Sequence, residues 1–172
     1  MKLPTAAQLI EYLGLEPLTI EGGHFRQTYV AAESIAADAL PKRYAAPRSF
    51  GTAIYYLLTS DPDSFSALHR LETDEIYHFY LGDAVEMLVL SPDGRGERVV
   101  LGPDVLAGQK LQFVVPRGVW QGSHVIAGGS YALMGTTMAP GFELADWSEG
   151  KRESLLREYP QYTGLIRALT RR

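Results

Sequence analysis

The sequence predicts an all-β barrel or sandwich with helices at both ends of the chain. Three observations predict it. Nine short runs between residues 25 and 138 are rich in β-branched and aromatic residues. Clusters of Gly, Pro, Asp and Ser separate these runs without intervening helices, which argues against alternating strand–helix units. Helical periodicity is confined to the first 14 residues and the stretch after about 150.

Taken in order, Thr5 followed by Gln8 forms a capping-box pattern, and Leu9, Ile10 and Leu13 share one stripe. Gly14 supplies a stop, so a helix is expected over about 5–13. After Glu21-Gly-Gly the pattern changes. FRQTYV at 25–30 and TAIYYLL at 52–58 read as strands, and further runs follow at 66–71, 75–81, 84–90, 97–101, 110–115, 119–126 and 130–138. SDPDS, LGD, SPDGRG, LGPDVLAG, PRG and AGGS stand between them as turns. A barrel over about 25–138 is expected. Past APGFELADW the helical pattern returns over about 150–170, as RESLLREY, a break at Pro160, then YTGLIRALT. No repeat interrupts this plan, and one domain spanning 1–172 is predicted.

Composition narrows the function classes. Apolar residues make up 46% and charged residues 21%, ordinary for a folded globular chain. A net charge of −4 and a pI near 5.6 argue against a nucleic acid polymer or a membrane surface as partner. The chain has no cysteine, which excludes disulfides and thiolate zinc sites. No apolar run reaches transmembrane length. The N-terminal MKLPTAAQLIEYLGLEP carries Glu11 and lacks a small-residue cleavage site, so it reads as a helix and not a signal peptide. A cytoplasmic location is expected. SPDGRG is a hairpin turn, and GGHFRQ lacks the strand–Gly–helix context of a phosphate cradle.

The stretch HRLETDEIYHFYLG at 69–82 carries the chemistry. His69, Glu75 and Gly82 fit the first of two loose barrel signatures, G-x5-H-x-H-x(3–4)-E-x6-G and G-x5-P-x-G-x2-H-x3-N. Such signatures gather imidazoles and a carboxylate on one side of a barrel and leave open positions on a divalent metal. Asp63 replaces the opening Gly and Leu71 the second His. Pro116 and Gly118 fit the second signature, but Gln121 takes its His position, Val125 its Asn, and the leading Gly is displaced to Gly108.

The wording around these positions is more specific than the spacing. EGGHFRQTY, TAIYYLL, ALHRLETDEIYHFYLGD, VPRGVWQGS and YALMGTTMAPGFELADW follow one another in this order. From about residue 6 to 169 the chain resembles the cupin-5 family, cupins largely described as a domain of unknown function. The resemblance implies a double-stranded β-helix (a cupin jelly-roll barrel), a homodimer and a small-molecule ligand inside the barrel. It also implies an architectural likeness to the sugar-nucleotide epimerases, which move protons with a His base and a Tyr acid and use no metal. Fold alone does not carry that activity over.

Alternation along strands sorts the candidates. If Glu75 points inward, Tyr77 and Phe79 follow, while Ile76, His78 and Tyr80 face out. If Gln121 points inward, so do Ser123 and Val125, and Trp120 and His124 point away. His69 is a candidate base, with Tyr77 as acid; the plainer alternatives are a hydrogen-bonded core His and a core Tyr. Glu75 is costly to bury unless paired, so it either serves the pocket or forms an ion pair with Arg70 or Arg26. Gln121 can both donate and accept to a polar ligand. Arg26 can grip an anionic group or pair with Glu75 or Asp74, and Trp120 can line a rim or fill core. The family's usual Glu is Gln27 here, which removes a charge.

Three functions stay open. The first is an isomerase- or epimerase-like enzyme using acid–base chemistry on a sugar- or nucleotide-like ligand, with His69 and Tyr77 catalytic and Glu75, Gln121, Arg26 and Trp120 binding. The second is a metal-dependent enzyme with Mn, Mg, Fe or Ni on His69, Glu75 and Gln121, a set better suited to Mn²⁺ or Mg²⁺ than to Zn²⁺. The third is a non-catalytic metabolite-binding protein.

Overall fold

The computed structural model describes residues 3–171. Its strands are β1 (Glu16–Pro17), β2 (His24–Val30), β3 (Ser34–Ile35), β4 (Arg48–Ser49), β5 (Thr52–Thr59), β6 (Ser66–Arg70) and β7 (Glu75–Gly82), followed by β8 (Val85–Leu90), β9 (Gly96–Leu101), β10 (Gln112–Val115), β11 (Trp120–Val125), β12 (Tyr131–Met138) and β13 (Ser148–Glu149). They form a six-stranded sheet in the order β1-β2-β5-β12-β7-β10 and a five-stranded sheet in the order β13-β6-β11-β8-β9. β3 and β4 make a separate small ribbon. Every pairing between these strands is antiparallel, and the two large sheets face each other as a jelly roll.

Alternation explains the packing. Tyr56, Leu58, Tyr77, Phe79, Met87, Val89 and Met134 project between the sheets and form the barrel core. The opposite face of the five-stranded sheet presents Leu68, Leu88 and Leu90. Helices α2 (Arg152–Glu158) and α3 (Thr163–Ala168) cover it with Leu155, Ile166 and Leu169 nearby. Each such fully buried leucine contributes about 1.5–3 kcal/mol of transfer free energy. On the outside of the six-stranded sheet, α1 (Ala6–Leu13) sets Leu9 against Leu57, Tyr131 and Leu133. The capping box is formed: Gln8 N donates to Thr5 Oγ1 (3.3 Å) and Thr5 N to Gln8 Oε1 (2.9 Å). Gly14 ends α1 at φ 60°, a conformation cheap only for glycine.

The nine long strands fall where alternation predicts them, within two residues at each end. The four two-residue strands β1, β3, β4 and β13 were not legible, since two residues show no period. One of them shapes the interior, because β13 sets Glu149 opposite His69. The segment leading into β13 is held by a buried ion pair, Arg48 Nη2 to Asp146 Oδ1 at 2.6 Å. Arg48 Nη1 also donates to the Ala46 and Pro47 carbonyls, so its charge is multiply satisfied.

Candidate functional site

His69 sits in β6 opposite Gln121 of β11, and both side chains enter the barrel. Glu75 opens β7 in the facing sheet. The barrel therefore brings residues 69, 75 and 121 together, with His69, Glu75 and Gln121 exposed by only 0%, 7% and 1%. His69 Nδ1 donates to the Ala67 carbonyl at 2.8 Å, which aims Nε2 into the interior. The Trp147 indole stacks on the imidazole, with centroids 6.3 Å apart and planes 21° apart. Gln121 Nε2 donates to Glu75 Oε2 at 2.7 Å. The Gln121 Oε1 and His69 Nε2 atoms are buried without a hydrogen-bond partner among the described residues.

A residue that sequence reasoning missed completes the group. Glu21 Oε1 lies 3.7 Å from His69 Nε2, and Glu75 Oε2 lies 3.9 Å from the same atom. The loop carrying Glu21 is clamped to the five-stranded sheet, since Ala67 N donates to the Glu21 carbonyl at 2.9 Å. Gly22 allows this approach: at φ 113° a side chain there would be strained, and its Cβ would run into the Phe65 carbonyl. EGG reads as a turn, but a glycine pair beside a carboxylate in an otherwise apolar loop also marks a close approach to another backbone.

The electrostatics follow from burial and charge. Desolvation opposes a charged His69, but Glu21, Glu75 and the Ala67 carbonyl together outweigh it and push the imidazole up to about 9. It is therefore an imidazolium at neutral pH. Burial raises the Glu21 carboxyl above its ordinary range; His69 opposes this rise and Glu75 adds to it. Burial, with Glu75 next, lifts the Tyr77 phenol well above 10, so Tyr77 keeps its proton.

A cavity of about 590 Å³ reaches this group. Glu21, Glu75 and Leu71 stand at its buried end, and Glu16, Arg26 and Gln27 at its exposed end. His69 and Tyr77 lie behind the carboxylates and not on the cavity wall. Trp120 does not join the site: it lies on the other face of β11, against the C-terminal helices, with the Arg70 guanidinium 4.6 Å above its ring. Strand alternation separates it from Gln121. The expected ion pairs of Glu75 with Arg70 or Arg26 do not form either. Arg26 stands at the cavity mouth and donates to the Leu13 carbonyl at 2.8 Å, capping α1. Asp74 accepts from the Arg117 backbone N–H. His78 faces outward, bonded to Thr137 and Gln112.

The fold and this barrel interior define a cupin. The chain belongs to the cupin-5 family, described as cupin superfamily (DUF985), which it matches over residues 7–149. It is 28% identical over 145 residues to an uncharacterized protein of Saccharomyces cerevisiae, covering 80% of this chain and 71% of that one. A hypothetical protein from Leishmania major is 31% identical with a TM-score of 0.84, over 98% of this chain and 100% of that one. A protein from Shewanella oneidensis is also 31% identical, with a TM-score of 0.85 over 98% and 99% of the two chains. A dTDP sugar isomerase from Desulfovibrio desulfuricans, 16% identical over 74% of this chain and 83% of that one with a TM-score of 0.50, shows the fold alone.

The fold family implies a divalent metal, and the residues here fit one poorly. His69 Nε2 has no hydrogen-bond partner among the described residues and two carboxylates flank it, but it would have to lose its proton to ligate. Against this, the second histidine position holds buried, apolar Leu71, and the Gln121 amide nitrogen occupies a Glu75 oxygen. Among the described residues no group of three or more His, Cys, Asp or Glu is arranged to hold a metal ion. No described helix is long and apolar enough to cross a membrane.

Proposed function

We propose that this cupin is an acid–base enzyme that moves a proton on a small sugar-like carbonyl compound. The observation that carries this reading is the pair of carboxylates, Glu21 and Glu75, at the buried end of the cavity with the His69 imidazolium behind them. Burial raises the Glu21 carboxyl, and perturbed carboxyl groups concentrate at functional sites, where they serve as acids and bases. The sugar isomerase named above supports the substrate class only through its shared fold.

The roles differ from those expected of the sequence. His69 carries its proton already, so it serves as a fixed positive charge that offsets part of the rise burial imposes on the Glu21 carboxyl. Glu21 takes the proton from the carbon next to the carbonyl: the C–H bond breaks, an O–H bond forms on Glu21, and the electron pair moves to the carbonyl oxygen. Returning the proton on the same face to the former carbonyl carbon, while the neighbouring hydroxyl proton passes to the former carbonyl oxygen, completes an isomerisation with no net oxidation. Glu75, held by Gln121, fixes the substrate. Tyr77 retains its proton as a hydrogen-bond donor behind Glu75.

The test is solvent exchange. Ketoses and nucleoside-diphosphate keto sugars are incubated with the protein in D₂O, and deuterium next to the carbonyl is followed by NMR. Exchange that Glu21→Gln abolishes supports the reading. If panel members stabilise the protein to heat but none exchanges, the cavity belongs to a non-catalytic metabolite-binding protein.

A further inference from the structure

The acids and bases at the buried end of the cavity do not match in number. Two carboxyl groups, Glu21 and Glu75, meet one imidazole, and burial raises the Glu21 carboxyl, as expected of an acid without a full counter-charge. Among the described residues no lysine lines the cavity, and the one guanidinium on its wall, Arg26, sits at the exposed end with a hydrogen bond to the Leu13 carbonyl. An uncompensated charge away from water is costly unless something pairs with it. A second observation points the same way. Gln121, 1% exposed, gives its amide nitrogen to Glu75, which leaves its oxygen as a buried acceptor without a donor. The group thus holds one carboxyl group more than it has cations, and Gln121 Oε1 lacks a donor. The walls leading inward are apolar, with Phe25, Ile54, Leu71 and Met138 among them.

We infer that the site takes a ligand whose leading group is a primary ammonium, an amino sugar being the class that also satisfies the proposed proton-transfer chemistry. The ammonium would lie against Glu21 and Glu75 and reach between them toward Gln121 Oε1, which stands behind the cavity wall, while the carbon skeleton contacts the apolar walls. A carboxylate- or phosphate-bearing ligand would have to place that group at the Arg26 end. This inference rests on the proposed cavity being the ligand site, but not on its being catalytic.

Two matched series test it by calorimetry and ligand-observed NMR: glucosamine, glucose and glucuronate, and cyclohexylamine, cyclohexanol and cyclohexanecarboxylate. The amine is expected to bind at least about tenfold more tightly than the matched alcohol in one series or both. The carboxylate should bind more weakly than either. Replacing both carboxylates, Glu21→Gln with Glu75→Gln, removes every negative charge at the buried end and should erase the amine's advantage. Amines that fail to outbind their alcohols in both series, undetectable binding of all six included, would overturn the inference. The two readings fail separately. Tight amine binding without deuterium exchange sinks the enzyme and leaves the ammonium site; exchange confined to ligands without an amine sinks the ammonium site alone.

Discussion

Replacing Glu21 by glutamine keeps the side chain's shape and removes its charge, and His69 should report the change directly. The Glu21 oxygen lies 3.7 Å from His69 Nε2. A unit charge at that distance is worth about 4 kcal/mol at an effective dielectric of 20, equivalent to about three pH units in a titration midpoint. The midpoint of His69, about 9 with Glu21 present, should fall in the variant to the ordinary histidine range near 6.5 or below. Side-chain ¹⁵N–¹H spectra recorded between about pH 5 and pH 10 separate the four histidines. Stability follows the same titration. Because the folded-state pKa is raised, the contribution of His69 is complete below the unfolded pKa and is lost as pH rises through about 9. Across that window it amounts to about 3 kcal/mol. Urea unfolding should show the wild type losing at least about 3 kcal/mol more than Glu21→Gln between about pH 6 and pH 9.5, because the raised Glu21 carboxyl, absent from the variant, can only add a loss of the same sign. A variant midpoint unchanged from wild type, or a wild-type His69 titrating near 6.5, would refute the coupling.

Asp146→Ala leaves Arg48 buried without its partner and should cost about 3–5 kcal/mol in urea unfolding. The double change Arg48→Met with Asp146→Leu should recover most of it, and a single-variant loss below about 1 kcal/mol would show that the pair does not hold the loop. Gln121→Leu strips Glu75 of its donor and should destabilise the protein by about 1–3 kcal/mol; an unchanged urea midpoint would contradict that bond. Elemental analysis of tag-free protein purified without chelator is expected to find metal well below one ion per chain, and one manganese per chain would overturn the poor fit. We also propose that Tyr80, Leu111 and Val114, exposed on the six-stranded sheet and its edge, meet a second copy of the chain. Light scattering should then give twice the chain mass, and a single-chain mass would exclude it.

The strands were legible because residues two apart share a face: Glu75, Tyr77 and Phe79 turn inward while His78 and Tyr80 turn out. His69, Glu75 and Gln121 were legible as a constellation because the family's wording marks their positions. Their surroundings were not: a histidine in a motif reads as a base, whereas two flanking carboxylates push this one up to about 9. Glu21 and Trp147 lie 48 and 78 residues from His69 along the chain and belong to loops, whose course no periodicity encodes.

By itself the sequence determined an all-β barrel or sandwich with terminal helices, since local alternation and turn chemistry act between near neighbours, while the jelly roll and the places of His69, Glu75 and Gln121 followed from the family resemblance. Only the tertiary structure decided that Trp120 faces the helices, that Arg26 caps α1, and that Glu21 enters the barrel beside His69. The physical reason is range. A strand's facing is set within two residues, but the charge on a buried imidazole depends on whatever groups lie within a few ångströms, however far away they stand in the chain.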